Sequence, residues 1–80
     1  MDCNKQAYGF MVLTKGKRKH IQLAEIIREC EILGIHVLSP FNIVVISETL
    51  NQAKGTRNIV KSHGFKVSDV TDVFIPEQTV

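Results

Sequence analysis

Two short apolar runs on either side of a turn-rich tetrapeptide dominate the pattern of hydrophobic and polar positions. The runs IHVL (35–38) and NIVVIS (42–47) are joined through Ser39-Pro40-Phe41-Asn42. Two β-branched runs around such a turn predict a β-hairpin. The second run is apolar at consecutive positions, which is typical of a strand covered on both faces. We therefore expect it at the centre of a sheet.

Two further strands are predicted near the ends of the chain. Tyr8 to Leu13 is apolar on both faces and predicts a second internal strand. Phe65 to Val67 alternates cleanly, but the apolar residues that follow change phase, which predicts a β-bulge or a bend near Ser68 and Asp69. Residues 1–6 and 77–80 show no periodicity, and we expect them to be frayed tails of a single domain spanning residues 1–80.

Two helical patterns separate these strands. From His20 to Leu33, apolar residues recur at helical spacing, and Gly34 follows as the left-handed residue expected to end the helix. A second pattern ends at Gly64 in the same way. Near its start, Thr49 and Gln52 have capping-box spacing, and Ser47 is the alternative N-cap.

The order strand, helix, strand, strand, helix, strand predicts an α+β fold of the ferredoxin-like βαββαβ type. This fold is a four-stranded antiparallel sheet with two helices on one face, and its first and third strands are central. The other sheet face is left uncovered, which in a domain of 80 residues predicts a protein partner or a homodimer. The predicted core consists of Leu23, Ile27, Cys30, Val44, Ile46, Val60 and Val67.

The net charge and the spacing of the cysteines limit the cellular location and the classes of partner that the sequence predicts. Ten Lys and Arg against eight Asp and Glu give a net charge of +2, which by itself is too small to indicate nucleic acid. The two cysteines lack C-x-x-C spacing, and neither a signal peptide nor a run of about 18 apolar residues is present. These features predict a cytoplasmic protein that does not bind a membrane.

Cations concentrate between Thr14 and His20, a segment predicted to be a loop. Such a run is most often a solvated connection, and the alternative is an anion site for RNA or DNA phosphate, for a small anionic ligand or for an acidic protein surface. We predict that this loop is the contact surface, with Arg18 pairing bidentately. Lys54, Arg57 and Lys61 share one exposed helix side. The candidate binding residues are thus Lys15, Lys17, Arg18, Lys19, His20, Lys54, Arg57 and Lys61.

Two helix-glycine-strand junctions carry a resemblance to a known family. A helix ends at Gly34 before Ile35-His36-Val37, and a later one ends before Gly64-Phe65-Lys66-Val67. Over about residues 8 to 76 this arrangement resembles the ACT domain. The resemblance implies a regulatory domain that binds an amino acid or another small effector between paired domains. Of the Asp-x-x-Gly turn usual in that family after the first strand, only Gly16 is matched.

Motifs for catalysis are missing from the sequence. There is no P-loop, no dinucleotide fingerprint and no G-x-S-x-G motif. Cys30 lies on the predicted buried stripe of the first helix, where a thiol acts as a small hydrophobe. Asp69 and Asp72 would lie on opposite faces of a regular strand. We therefore predict no catalytic residue, metal site or cofactor.

The function predicted from the sequence is that of a small non-catalytic regulatory or interaction module. It would bind a protein partner, a second copy of itself or a small effector. The alternative is a nucleic-acid-binding regulatory protein that contacts phosphates through residues 15–19. Base stacking on the sheet is disfavoured, because the run 42–47 contains no aromatic residue.

Overall fold

The computed structural model describes residues 4 to 76. The described chain is α+β, as predicted, with five strands and two helices. Residues 1–3 and 77–80 of the predicted tails lie outside the described residues, whereas residues 4–6 belong to the first strand and are paired. The elements are β1 (Asn4–Leu13), α1 (Lys17–Ile27), β2 (Gly34–Ser39), β3 (Asn42–Ser47), α2 (Leu50–Ser62), β4 (Lys66–Val67) and β5 (Thr71–Pro76).

The strands form one sheet in the order β2-β3-β1-β4, and β5 also pairs with β1. Every strand pair among residues 4 to 76 is antiparallel. β1 and β3 are the two central strands, as predicted, although the helices cover only one face of the sheet. The prediction of four strands was wrong, because the last predicted strand is divided into β4 and β5.

The register of pairing with β1 shifts by one residue between β4 and β5. β4 pairs Val67 with Val12, and β5 pairs Thr71 with Gly9. Thr71 is four residues after Val67, whereas Gly9 is only three residues before Val12. The segment between β4 and β5 therefore contains one residue more than the part of β1 that it faces, which defines a β-bulge. The predicted position of this irregularity is confirmed.

Ser68 holds β1 at the bulge. Its backbone N–H donates to the Met11 carbonyl oxygen at 2.9 Å. Its hydroxyl oxygen accepts the Met11 N–H at 2.8 Å. A side chain thus replaces the carbonyl that a regular ladder would supply, so the Met11 backbone groups stay paired.

One hydrophobic core lies between the sheet and the helices. Leu23 and Ile27 of α1 and Val60 of α2 meet the same cluster of sheet residues, so both helices cover the same sheet face. Full burial of one such side chain stabilises the fold by about 1.5–3 kcal/mol. The buried members of the core are Phe10, Val12, Leu23, Ile27, Ile43, Val45, Val60 and Phe65.

The predicted phase of β3 was wrong. Ile43 and Val45 face the core, whereas Val44 and Ile46 are half-buried on the opposite face. Because β3 is apolar at consecutive positions, its pattern does not indicate which face the helices cover. Of the other predicted core residues, Leu23, Ile27 and Val60 are confirmed as buried, Val67 is half-buried against the core, and Cys30 is half-buried.

α1 begins and ends earlier than its periodicity predicts. It spans Lys17–Ile27 and follows Gly16, which has a φ of 89°. After Ile27 the chain turns, and the Cys30 N–H donates to the Ile27 carbonyl at 3.0 Å. Gly34 was wrongly predicted to be left-handed, because it is the first residue of β2 and does not have a positive φ.

α2 has the predicted signals at both ends. The Thr49 hydroxyl accepts the Gln52 N–H, and the Gln52 side chain accepts the Thr49 N–H, both at 3.2 Å. This reciprocal capping box satisfies backbone donors that the helix leaves free. Gly64, with a φ of 92°, follows the helix in the predicted left-handed conformation.

Candidate interaction surfaces

The predicted basic loop is largely the first turn of α1. Lys15 and Gly16 precede the helix, and Lys17 is its first residue. The first turn contains no acidic residue, and no side chain among the described residues caps it. Cations at a helix N-terminus oppose the helix dipole. Lys15 and Arg18 are exposed to solvent.

Two of the predicted contact residues are engaged within the chain. Lys19 Nζ lies 4.8 Å from the centre of the Phe65 ring, which is a cation–π contact. His20 Nε2 lies 2.7 Å from the Pro40 carbonyl oxygen and 3.1 Å from Thr14 Oγ1. Because a carbonyl only accepts, Nε2 carries the proton of that bond. His20 thus connects α1 to the turn between β2 and β3.

Lys66, which was not among the predicted binding residues, lies near Lys15 and Lys19. The three lysines line a pocket of about 170 Å³. Its other described lining residues are Leu13, Gly64 and Phe65, so no carboxylate of residues 4 to 76 lines it. Lys66 reaches this place because it pairs with Leu13 across the sheet, a contact that sequence spacing does not indicate.

Lys54 and Arg57 line a different cavity, of about 350 Å³, and Lys61 is exposed. Arg57 Nε donates to the Ser68 carbonyl at 2.7 Å, and Arg57 Nη2 lies 3.5 Å from Asp69 Oδ1. Arg57 therefore braces the bulge between β4 and β5. The predicted binding residues therefore do not form one site: Lys15 and Lys19 line one pocket, and Lys54 and Arg57 line another.

A second surface, which we call the β2 surface, is apolar. Ile35 pairs with Val45 and Val37 with Ile43, so both side chains lie on the helix-covered face, beside the core. The helices nevertheless leave them uncovered. The β2 surface consists of Ile35, Val37 and Phe41, which are 47, 55 and 54% exposed, and of Ile21 on α1, which is 58% exposed. Leu38, 53% exposed, lies on the opposite face of β2.

A groove of about 360 Å³ joins the two ends of the β2 surface. It lies between Ile21 on α1 and Phe41 at the tip of the hairpin, and Gly16, His20 and Pro40 complete its lining. The bond between His20 and Pro40 holds its two sides together. The groove therefore extends from the tip of the hairpin onto α1.

β2 is the last strand of the sheet order, and no described strand pairs with its outer edge. The Thr14 N–H donates to the Phe41 carbonyl at 2.7 Å, which makes this pair a hydrogen-bonded one in the β1–β3 ladder. Hydrogen-bonded pairs alternate along an antiparallel ladder. Ile43 and Val45 therefore direct their backbone groups to β1, and Val44 directs its groups to β2.

The same alternation fixes the direction of the backbone groups of β2. His36 pairs with Val44, so its N–H and C=O face β3. Ile35 and Val37, on either side, direct their N–H and C=O groups away from the sheet. At these two positions, free backbone donors and acceptors coincide with exposed apolar side chains.

The two edges of the sheet differ in their side chains. β5, on the far side of β1, contains Asp72 and Pro76. Charged side chains and proline are common means of preventing an edge from pairing with another strand. β2 has the sequence GIHVLS, without Lys, Asp, Glu or Pro.

Few other side chains of residues 4 to 76 are placed for metal binding or thiol chemistry. Residues 4 to 76 contain no group of three His, Cys, Asp or Glu side chains placed to hold a metal ion. Cys30 Sγ is 3.6 Å from the Ile26 carbonyl oxygen. No helix in this part of the chain is long and apolar enough to cross a membrane.

No family model, curated protein or solved structure matches this chain. The resemblance to ACT domains therefore stays a prediction.

Proposed function

We propose that the chain is a small non-catalytic interaction module that binds an extended segment of a protein partner along the free edge of β2. The observation that carries this proposal is the coincidence at Ile35 and Val37 of outward backbone groups with exposed apolar side chains. In strand addition, main-chain hydrogen bonds give affinity and alternate side chains give specificity. The groove beside Phe41 adds a place for an apolar side chain of the partner.

The fold that we propose for this module is ferredoxin-like. β4 and β5 together count as one bulged strand, which gives the order βαββαβ. The one-residue register shift and the two hydrogen bonds between Ser68 and Met11 support this count, because they continue one ladder along β1. A regulatory role of the ACT type and a cytoplasmic location are proposals that rest on the sequence patterns alone.

Selection of peptides from a random library displayed on phage tests the proposed strand addition. We expect the immobilised chain to enrich peptides with alternating apolar residues. Val37→Lys places a charge in the edge and should weaken their binding at least tenfold. Ile59→Lys is the matched control, since Ile59 is 46% exposed on α2 rather than on β2, and it should bind as the parent does.

Two outcomes would contradict the proposed function. One is that no alternating apolar peptide is enriched over a blank surface. The other is that the selected peptides bind the Val37→Lys variant as tightly as the parent, because their contact would then lie away from the β2 edge.

Phosphate contact at the lysine pocket is a second candidate. The observation that favours it is that Lys15, Lys19 and Lys66 line one pocket to which the described part of the chain contributes no carboxylate. Phosphate contacts require only cations, and each lost contact should flatten the dependence of log affinity on log salt by about 0.7–0.9. A salt titration with generic RNA and DNA, repeated with all three lysines changed to Ala, measures this. Lack of binding at low salt would reject the candidate.

A further inference from the structure

We infer that β2 of one copy of the chain pairs with β2 of a second copy, antiparallel and in a register centred on His36. The inference rests on the proposed function of the β2 edge and names the partner. Antiparallel pairing of two identical strands has two-fold symmetry, so each contact is made twice. The edge suits such pairing because its two outward-facing residues, Ile35 and Val37, are placed symmetrically about His36.

The outward backbone groups favour this register. Ile35 of each copy faces Val37 of the other, and each hydrogen-bonded pair exchanges two N–H···O=C bonds, so the two pairs make four. The two His36 residues then stand opposite each other at the two-fold axis, in a non-hydrogen-bonded pair.

In the two neighbouring registers, some of the backbone groups needed for hydrogen bonds between the copies are not available. A register centred on Ile35 needs the Leu33 N–H, which already donates to the Ile46 carbonyl at 2.7 Å. A register centred on Val37 needs Ser39, and the pairing of β2 with β3 is irregular between Val37 and Ser39. Both alternatives therefore make fewer regular hydrogen bonds.

The side chains fit the same register. On the helix-covered face, Ile35 of each copy lies beside Val37 of the other and covers its exposed side. On the opposite face, Leu38 lies opposite Gly34 of the second copy. A Cβ built at Gly34 would have no atom of the other described residues within 4 Å beyond its chain neighbours, so the position has room for a leucine side chain. No Lys, Asp or Glu side chain belongs to either strand.

The size of the contact predicts a weak dimer that closes on itself. β2 has six residues, and such a strand pair falls below the roughly 1,200–2,000 Å² of a stable interface. We therefore expect a dissociation constant in the micromolar range, about 1–50 µM. Asp72 and Pro76 in β5 disfavour pairing of β2 with that edge, so the copies form closed pairs rather than fibres.

Sedimentation of the full chain and cysteine cross-linking test the inference together. The parent should sediment mainly as a dimer at roughly 100 µM, and Val37→Lys as a monomer. With Cys3 and Cys30 replaced by Ser, His36→Cys brings two thiols together where Cα atoms are about 4.5 Å apart, within the range of a disulfide. Mild oxidation should link most of this variant. Leu38→Cys, whose symmetric neighbour is Gly34, is the matched control and should link at least tenfold less.

The outcomes separate this inference from the proposed function. A parent that is monomeric at roughly 100 µM, or a Leu38→Cys variant that links as readily as His36→Cys, would overturn it. If the parent is monomeric while phage-selected peptides still require Val37, strand addition stands and only the second copy is rejected. If neither copies nor peptides depend on Val37, both are rejected.

Discussion

Replacement of Gly9 by alanine should destabilise the protein, although Gly→Ala changes in strands are often neutral or favourable. Gly9 lies in β1, the strand at the centre of the sheet. A Cβ built there would lie 3.1 Å from the Val45 carbonyl oxygen, 3.1 Å from Val73 Cγ2 and 3.3 Å from Val44 Cγ1. The two valine side chains can move, but the carbonyl belongs to the backbone of β3.

The magnitude follows from two opposed effects. A smaller entropy of the unfolded chain stabilises an alanine variant by about 0.4–1 kcal/mol. Overpacking in a region that cannot relax costs about 1–3 kcal/mol. Because one of the crowded atoms is fixed in the β1–β3 ladder, we expect a net loss of about 1–2 kcal/mol in the free energy of unfolding.

Urea denaturation followed by circular dichroism measures this loss, and thermal melting should show a decrease of about 4–8 °C for each kcal/mol. Gly55→Ala is the matched control. Gly55 lies within α2, and a Cβ there meets no described atom within 4 Å outside the local helix backbone, so this variant should gain up to about 1 kcal/mol from helix propensity. A Gly9→Ala variant at least as stable as the parent would refute the proposed crowding of the central strand.

Three further substitutions test other parts of the structure. Thr49→Ala removes the capping box and should cost about 1 kcal/mol in urea denaturation; an unchanged midpoint would show that the cap does not stabilise α2. Arg57→Ala removes the bond to the carbonyl at the bulge and should cost roughly 1–2 kcal/mol in the same assay, and full stability would mean that the bulge needs no brace. Joint replacement of Lys17, Arg18 and Lys19 by Ala should leave the thermal midpoint equal or slightly higher. Each cation opposes the helix dipole by about 0.3–1 kcal/mol, so its removal stabilises the helix. Loss of the one cation–π contact of Lys19 offsets part of this gain. A clear drop in that midpoint would contradict this reasoning, whereas an unchanged affinity for an anionic partner would exclude the basic segment as its contact.

Local signals in the sequence predicted the features that depend on a few neighbouring residues. The hairpin turn, the capping box at Thr49, the left-handed Gly64 and the bulge near Ser68 are each encoded within a short segment. Features that depend on distant contacts were not predictable in the same way. The end of α1 at Ile27 is one such feature, since apolar residues continue at helical spacing beyond it.

The same distinction applies to the candidate surfaces. The basic segment is visible as a run of charges, but the joining of Lys15 and Lys19 with Lys66 depends on pairing across the sheet. The pattern of the run 35–38 predicts one strand of a hairpin and nothing more. Its exposure follows from the position of β2 at the sheet edge and from helices that leave Ile35 and Val37 uncovered, which no local pattern indicates.

Residue-resolved amide hydrogen exchange at two protein concentrations tests most directly the claim that the β2 edge is free and accepts a strand. The His36 N–H faces β3 and should be protected at any concentration, whereas those of Ile35 and Val37 should exchange rapidly in dilute protein. At several hundred micromolar, or on addition of a selected peptide, protection should rise at Ile35 and Val37 alone within β2. Equal protection of all three amides in dilute protein, or rapid exchange of Ile35 and Val37 under every condition, would contradict the account.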